Sequence, residues 1–444
     1  MGVLGVINTD PEIKKLIDGA LRNIHKHGYE PRYLSRKEDI LEFLNYDLPE
    51  IVLINFSDPD IDIAEIVSLI QHDKWILNFG IIGIFSGEQD TEENYLRKYQ
   101  AINILTMMDV QQLSTHLVKS IQIIEKNYQI IFQREFTRDL LSGSSGSFTI
   151  DNDILSIHLY AGIGATILAQ RGLINPEHKM QLQLALSELI VNAVEHGNCG
   201  ITYEEKTAAM ENGLSVPELV AQRCKDPAIK KRKVEFLWDI HSDHTAFVIR
   251  DEGDGFDVVA HLKKIASQDK LSLHGRGIRI ASAFSTRLKY NKKGNEVTVI
   301  IEHDDTIEHN VPPGFSRQQI HEVKAGDIIL RENEPSDYLY YIISGNYSVY
   351  HKSKKVGSLS VGDIFMGEIA FLLNQRRSAS VRADGQGKLV PISRKALVSI
   401  IRDYPHYGIF FSRLLARRLV RANDQNAALT EKLRQCQNSQ TPEN

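Results

Sequence analysis

Cysteine is scarce: three in 444 residues, at Cys199, Cys224 and Cys436. That is too few, and too scattered, for a disulfide framework or a zinc cluster. A cationic excess is missing as well, because 52 Lys and Arg stand against 57 Asp and Glu, for a formal net charge of −5. Such a balance excludes a chain that coats nucleic acid. Long apolar runs are absent. The longest, from Trp75 to Phe85, is broken by Asn78 and falls well short of the ~18 residues that cross a bilayer. The opening Met1-Gly2-Val3-Leu4-Gly5-Val6 lacks the basic segment of a signal peptide and the hydroxyl residue of a myristoylation signal. These absences predict a cytoplasmic protein with neither a membrane nor a nucleic acid as partner. What is present, 42% hydrophobic and 25% charged residues, is ordinary globular composition. At roughly 150 residues per domain the length predicts about three domains.

Two breaks divide the chain. Ser142-Gly143-Ser144-Ser145-Gly146-Ser147 reads by composition as a flexible linker, and Pro312-Pro313-Gly314 as a second breaker. Before the first, strand-like runs Val3–Ile7, Ile51–Phe56, Gly80–Phe85 and Ile102–Leu105 alternate with amphipathic segments, the rhythm of βαβ units and a parallel sheet. Residues 117–141 are apolar at helical spacing and predict an extended helix joining the domains. After Phe315, short strands turned by Gly326, Gly345, Gly357 and Gly362 predict an antiparallel roll, followed by helices over Arg394–Arg402 and Tyr407–Arg434. The expected organisation is therefore a multidomain α/β and α+β chain. It has a parallel sheet over 1–125, a linker over 126–147, an α/β sandwich over 148–305 and a β-roll with helices over 312–430.

The first segment resembles response-regulator receiver domains in its strand order and in Asp10-Pro11-Glu12-Ile13 after the first strand. Phosphorylating such a site needs a carboxylate nucleophile and further carboxylates around Mg²⁺. Where that family places its acceptor Asp, this chain has Asn55, with Pro59 following as in the family. Asn8 and Thr9 replace the acidic pair. Ser86 matches the family's hydroxyl, but Met107 replaces its lysine. Asp10 and Asp58 fit capping and turn roles. The resemblance implies a receiver without its chemistry, a docking or dimerisation module in a homodimer.

In the middle segment, Glu188 and Asn192 lie four apart in Leu184-Ala185-Leu186-Ser187-Glu188-Leu189-Ile190-Val191-Asn192-Ala193-Val194-Glu195-His196-Gly197-Asn198. They share one helix face, with Gly197 expected to end the helix. A carboxylate can take a proton from a hydroxyl nucleophile, and an amide oxygen one turn away can ligate Mg²⁺. Two glycine loops follow, Asp251-Glu252-Gly253-Asp254-Gly255 and His274-Gly275-Arg276-Gly277, whose backbone can approach a nucleotide closely. These three blocks, in this order, resemble the Bergerat-type ATPases over roughly 148–303: histidine kinases, gyrase and, most nearly, the anti-sigma-factor serine kinases. The resemblance implies ATP and Mg²⁺ as ligands, Glu188 as catalytic base and Asn192 as Mg²⁺ ligand. It implies Asp251 as the adenine reader, with Gly253, Gly255, Gly275 and Gly277 shaping the lid and Thr298 near the base. His158 is flanked by Ile157 and Leu159 rather than by the acidic residue of a phospho-acceptor histidine, so self-phosphorylation is not expected. The basic run Lys230-Lys231-Arg232-Lys233 reads as a solvated edge.

The last segment carries Gly367-Glu368-Ile369-Ala370 and Arg377-Ser378-Ala379-Ser380. Backbone N–H groups and one guanidinium can jointly hold a cyclic phosphate, and Glu368 can accept a ribose 2′-hydroxyl. With the glycine-turned strands before it, the run resembles the phosphate-binding cassette of cyclic-nucleotide-binding domains, as in the catabolite activator and the regulatory subunits of cyclic-AMP-dependent kinase. It departs from that pattern at Arg376, where the family often has Pro. The resemblance implies cyclic AMP or cyclic GMP as effector, with Ser378 bearing on base choice. About 20 residues follow Asp424, too few for a DNA-reading helix-turn-helix. The combined expectation is a bacterial-type, cyclic-nucleotide-regulated serine/threonine kinase acting on an anti-sigma-factor antagonist. The alternative is a non-catalytic switch that sequesters a sigma factor or adaptor.

Overall fold

The computed structural model describes residues 2–22, 29–73, 79–87, 91–101, 103–132, 144–241, 243–258, 287–304, 307–308, 311–416 and 423. Gly275 and Gly277, Cys436, residues 133–143 of the expected linker and, apart from 423, the expected helix beyond 416 lie outside these residues. Among the described residues no helix is long and apolar enough to cross a membrane.

Five strands, β1 (Gly2–Ile7), β2 (Tyr29–Leu34), β3 (Ile51–Asn55), β4 (Gly80–Phe85) and β5 (Ile104–Asp109), form a parallel sheet of order β2-β1-β3-β4-β5. This is the doubly wound order that places strand C-termini along one rim. β3 and β4 are buried along their whole length, as continuous apolar runs in a parallel sheet should be. β2 has no counterpart among the expected strands. Its Tyr-Glu-Pro-Arg-Tyr-Leu sequence alternates in burial at the sheet edge, where Pro31 costs no central ladder bond.

The helix Leu113–Phe132 packs against the helix Pro11–Arg22 of its own domain and the helix Ile154–Gln170 of the next; residues 133–141 of the expected helix lie outside the described residues. Apolar side chains leave it no reason to stand in water: Leu113, Leu117, Ile121 and Ile124 share one buried cluster with Ile157, Ile163 and Leu186 of the following domain. Residues 144–147 are not a linker. They open β6 (Ser144–Ile150), which pairs with β7 (Val234–Ile240). Gly146 lies against the Trp238 indole, where any Cβ would collide with the ring. Small residues here serve an edge strand under a large aromatic.

The middle sheet is antiparallel, of order β6-β7-β8-β10-β9, with β8 (His244–Arg250), β9 (Arg287–Tyr290) and β10 (Glu296–Glu302). β7 and β8 alternate in burial, so one face packs on helices Ile154–Gln170 and Pro176–Asn192 and the other meets water. Asn175 caps the second helix by accepting the His178 N–H at 2.8 Å, with Pro176 in the first turn; such a cap contributes about 1 kcal/mol. Residues 199–233 form three helices, Tyr203–Glu211, Val216–Arg223 and Pro227–Lys231, the first two opened by capping boxes. The basic run at their end is not simply solvated. Arg232 donates to the Asn198 carbonyl oxygen (2.7 Å), and Lys233 pairs with Asp151 (2.5 Å). Burial, then the neighbouring Cys224, pushes the Cys199 thiol up to about 12, which leaves it a packing group with no thiolate chemistry.

The C-terminal strands are β11 (His321–Val323), β12 (Ile328–Leu330), β13 (Tyr338–Ser344), β14 (Tyr347–His351), β15 (Lys354–Leu359), β16 (Phe365–Met366), β17 (Ser380–Ala383) and β18 (Gly387–Ser393). They make two four-stranded antiparallel sheets, β11-β18-β13-β16 and β12-β17-β14-β15. Tyr341 and Tyr347 fill the two cores of this roll, and the Tyr347 hydroxyl donates to the Ser344 carbonyl oxygen at 2.8 Å. Helices Arg394–Asp403 and 405–416 close it, the second burying Tyr407, Phe410 and Phe411 in the roll.

Candidate functional site

At the rim of the N-terminal parallel sheet, the end of β3 holds an amide pair. Asn55 Nδ2 donates to Asn8 Oδ1 at 2.9 Å in a buried position, and Asn8 Nδ2 donates to the Asp10 carbonyl oxygen (2.7 Å). Asp10 accepts the N–H groups of Glu12 and Ile13, and Asp58 accepts both the N–H and the hydroxyl of Thr9. Both carboxylates are thus engaged in shaping the loops. Among the described residues no group of three His, Cys, Asp or Glu side chains is placed to hold a metal ion.

The middle domain has a cavity of ≈ 190 Å³ lined by Asn192, His196, Tyr203, Asp251, Phe256 and Asn295, with apolar walls from Leu189, Ala193, Ile249 and Val297. The helix Pro176–Asn192 does not end at Gly197 as expected; it widens into a π turn over Ala193–Asn198. π turns of this kind cluster at functional sites. Gly197 is required for another reason: a Cβ there would strike the Asp251 carboxylate, and one on Gly253 would strike the Gly197 carbonyl. The helix end and the loop after β8 therefore touch backbone to side chain, which brings Asn192 and Asp251 to one cavity.

Asp251 is 8% exposed. Burial raises its pKa to about 6, partly offset by the Gly253 N–H donated to Oδ1 at 2.8 Å and by Lys293. The loop is braced by Asn295, whose Nδ2 donates to the Asp251 carbonyl oxygen (2.8 Å), and by Lys293 Nζ on the Gly253 carbonyl (2.8 Å). Gly255 lines the cavity beside Phe256, which meets Tyr290 edge-on at 5.4 Å. His196 Nδ1–H donates to the Ile201 carbonyl oxygen (2.5 Å) and packs on Tyr203 at 4.4 Å. Tyr203 belongs to the 199–233 segment, so that segment contributes directly to the cavity wall.

Two expected members stand apart. Thr298 alternates with the buried Val297 and Val299 along β10, so it faces the other side of the sheet and lies outside the cavity lining. Asn295 and Val297 occupy the place assigned to it. Glu188 is exposed on the helix one turn before Asn192, outside the lining. Burial lowers the His158 pKa, but the Glu92 carboxylate 2.9 Å away, with a smaller push from Glu188, more than reverses this and leaves it raised.

In the C-terminal domain, Arg377 is 4% exposed. Its Nη1 donates to the Gly367 carbonyl oxygen at 2.6 Å, and its Nη2 donates to that of Tyr338. Burial lowers its pKa from the usual arginine value. Gly367 precedes the short helix Glu368–Leu372, in which Glu368 and Ala370 are buried while Ile369 points outward. Ser336 Oγ is within 2.8 Å of the carbonyls of both Ala370 and Gln375, fixing the turn that leads to Arg377. Ser378 is exposed and Ala379 half-buried. Arg376 donates to the Asn333 carbonyl (2.7 Å), clear of Arg377. The fold thus gathers Gly367, Glu368, Ala370 and Arg377 at one turn and leaves Ile369 facing away.

Two known families match the domains that hold these residues. Residues 161–301 match the family described as histidine kinase-like ATPase domain, and residues 320–404 the family described as cyclic nucleotide-binding domain. The potassium/sodium hyperpolarization-activated cyclic nucleotide-gated channel 2 of Homo sapiens is 33% identical over 135 residues, covering 29% of this chain and 15% of the channel. Channel 1 of Oryctolagus cuniculus is 33% identical over 128 residues, covering 28% and 14%. The chain thus spans only a small part of these relatives' length. Among solved structures, the Thermus thermophilus catabolite activator protein aligns at 25% identity and a TM-score of 0.25, covering 26% of this chain and 57% of that one. The chain joins a histidine kinase-like ATPase domain to a cyclic nucleotide-binding domain.

Proposed function

We propose that the protein is a cyclic-nucleotide-regulated protein kinase. In this reading it passes the γ-phosphoryl group of ATP to a Ser or Thr hydroxyl on a separate protein of the anti-sigma-factor-antagonist type. The observation that carries the reading is the meeting of Asn192 and Asp251, 59 positions apart, in one cavity. A carboxylate recessed between apolar walls accepts the exocyclic amino group of adenine, while the flat space beside Phe256 and Val297 takes the ring.

Asn192 would hold Mg²⁺. One amide oxygen suits an ion that takes its other ligands from phosphates and water, and bound Mg²⁺ would offset charge on the phosphates. Asp251 fixes the base, and Glu188, on the same helix face as Asn192, accepts the proton of the incoming hydroxyl. Arg377 pairs with the cyclic phosphate in the second domain, and Glu368 accepts the ribose hydroxyl.

The test is transfer of label from γ-labelled ATP, with Mg²⁺, to a candidate antagonist protein, using Glu188→Ala as control. Label on Ser or Thr, lost in the variant, supports the kinase. The exposed setting of Glu188, outside the cavity lining, favours a second reading. ATP binding with no transfer to any antagonist supports that non-catalytic switch.

A further inference from the structure

The polar contacts of helix 405–416 outside its own domain fall on the N-terminal domain, on the side opposite the amide pair. Asp73 ends the helix Ile63–His72 and is 8% exposed. Its Oδ2 lies 3.3 Å from the Tyr407 hydroxyl and 3.4 Å from His406 Nε2. Tyr46 meets the His406 ring edge-on at 6.2 Å. One turn and a half further along, Arg413 donates to the carbonyl oxygens of Leu48 (2.7 Å) and Asp47 (3.4 Å). The Tyr407 hydroxyl also accepts the Gly314 N–H at 3.3 Å. A single oxygen thus links the segment joining the last two domains, the C-terminal helix and the N-terminal domain.

At its other side the N-terminal domain grips the helix that carries Glu188 and Asn192. Lys179, at the foot of that helix, donates from Nζ to the Ile104 carbonyl oxygen (2.5 Å) and to Gln183 Oε1 (2.6 Å). Gln183 Nε2 donates to the Leu105 carbonyl (3.2 Å). Met180 packs in the N-terminal domain's own apolar cluster. A Cβ on Gly162 would strike the Leu105 carbonyl, so helix Ile154–Gln170 rests directly on β5. These two interfaces differ in kind. The one to the ATP-binding domain is an apolar core with buried polar clamps, which resists relative motion. Among the described residues, the one to helix 405–416 includes the hydrogen bonds to Asp73, Leu48 and Asp47 and the Tyr46–His406 ring contact.

We propose that the N-terminal domain is the coupling element between the two nucleotide domains: its Asp47–Leu48–Asp73 rim docks helix 405–416, and movement of that helix reaches the Glu188–Asn192 helix through β5. This gives a domain without phospho-acceptor chemistry a function of its own. It rests on the two-nucleotide reading above.

The experiment uses the full chain and measures the ATP dissociation constant with and without saturating cyclic AMP or cyclic GMP, in wild type, Arg413→Ala and Tyr407→Phe. The phenylalanine keeps its packing on Phe315, and Arg413 is exposed, so both variants should fold. In the wild type the cyclic nucleotide should change ATP affinity by about five-fold or more, the lower range of allosteric coupling. In the variants that factor should fall towards one, with each nucleotide alone binding within about two-fold of wild type. Amide exchange at Asp47, Leu48 and Asp73 should respond to cyclic nucleotide in the wild type only. A coupling factor of one in a wild type that binds both nucleotides overturns the coupling and leaves the two-site reading standing. An unchanged factor in both variants overturns the docking route. A chain that binds neither nucleotide overturns the reading beneath it, and the coupling with it.

Discussion

Gly197 lies against the carboxylate of Asp251 so closely that a single added methyl group at Gly197 would overlap it. One residue is on a helix end and the other follows a strand, and their contact fixes the floor of the cavity. A Gly197→Ala chain should lose about 1–3 kcal/mol of stability, the usual cost of overpacking, and its ATP-dependent thermal shift. Denaturation with and without ATP measures both effects. A stable variant with normal ATP response would show that the contact is not needed.

Asp251 should accept from adenine best when ionised: Oδ1 already takes the Gly253 N–H, so a proton on Oδ2 would face the adenine donor. Asp251→Asn presents a donor where adenine also donates and should weaken ATP binding by about ten-fold or more, given ~1–3 kcal/mol for a buried mismatched polar group. Because burial raises this carboxyl's pKa to about 6, ATP affinity should also fall as pH drops from 7 to 5. Protein stability has the opposite sign at this residue. With the folded pKa above the ordinary carboxylate value, its contribution is fully present at low pH and is lost as pH rises through about 6. Titration calorimetry across that range checks the binding arm.

Arg377 spans two carbonyl oxygens, those of Gly367 and Tyr338. Arg377→Ala should abolish the thermal response to cyclic AMP or cyclic GMP while preserving that to ATP. Arg377→Lys should fail nearly as badly, since an ammonium cannot reproduce the guanidinium fork. A lysine variant with full cyclic-nucleotide response would contradict the role given to the fork.

Lys179 is buried, and burial lowers its pKa to about 7 from the usual 10.5. Between those values the unfolded chain binds a proton that the folded chain does not, so stability should rise with pH across about 7 to 10. Lys179→Met should flatten that slope; near pH 7 the hydrogen bonds lost at Ile104 and Gln183 offset the gain from no longer desolvating a cation. Unfolding midpoints from pH 6.5 to 9.5 measure it. A slope unchanged by the substitution would contradict the assignment.

Much of this was legible in the order of residues. Buried parallel strands such as Ile51–Asn55 announce themselves as unbroken apolar runs, and Asn192 and Asp251, which the fold brings to one cavity, stand out in fixed local patterns. Edge strands do not: β2 holds a proline and β6 is mostly serine and glycine, so composition alone reads them as loop. Thr298 shows how a period of two misleads, because a one-residue slip along β10 exchanges the cavity face for the solvent face. Tyr203 and Tyr290 enter the cavity wall through tertiary folding of segments with no motif of their own. The Asp73–Tyr407 contact joins residues 334 positions apart, and nothing local in either neighbourhood signals the other.

In the proposed reading one chain holds two separate nucleotide sites that are occupied together. Titration calorimetry of the 444-residue chain with ATP, and with cyclic AMP or cyclic GMP in the presence of saturating ATP, tests it most directly. The account predicts two saturable events that coexist, with Asp251→Asn weakening only the ATP event and Arg377→Ala removing only the cyclic-nucleotide event. Displacement of ATP by the cyclic nucleotide, mole for mole, or silence from both, would contradict it.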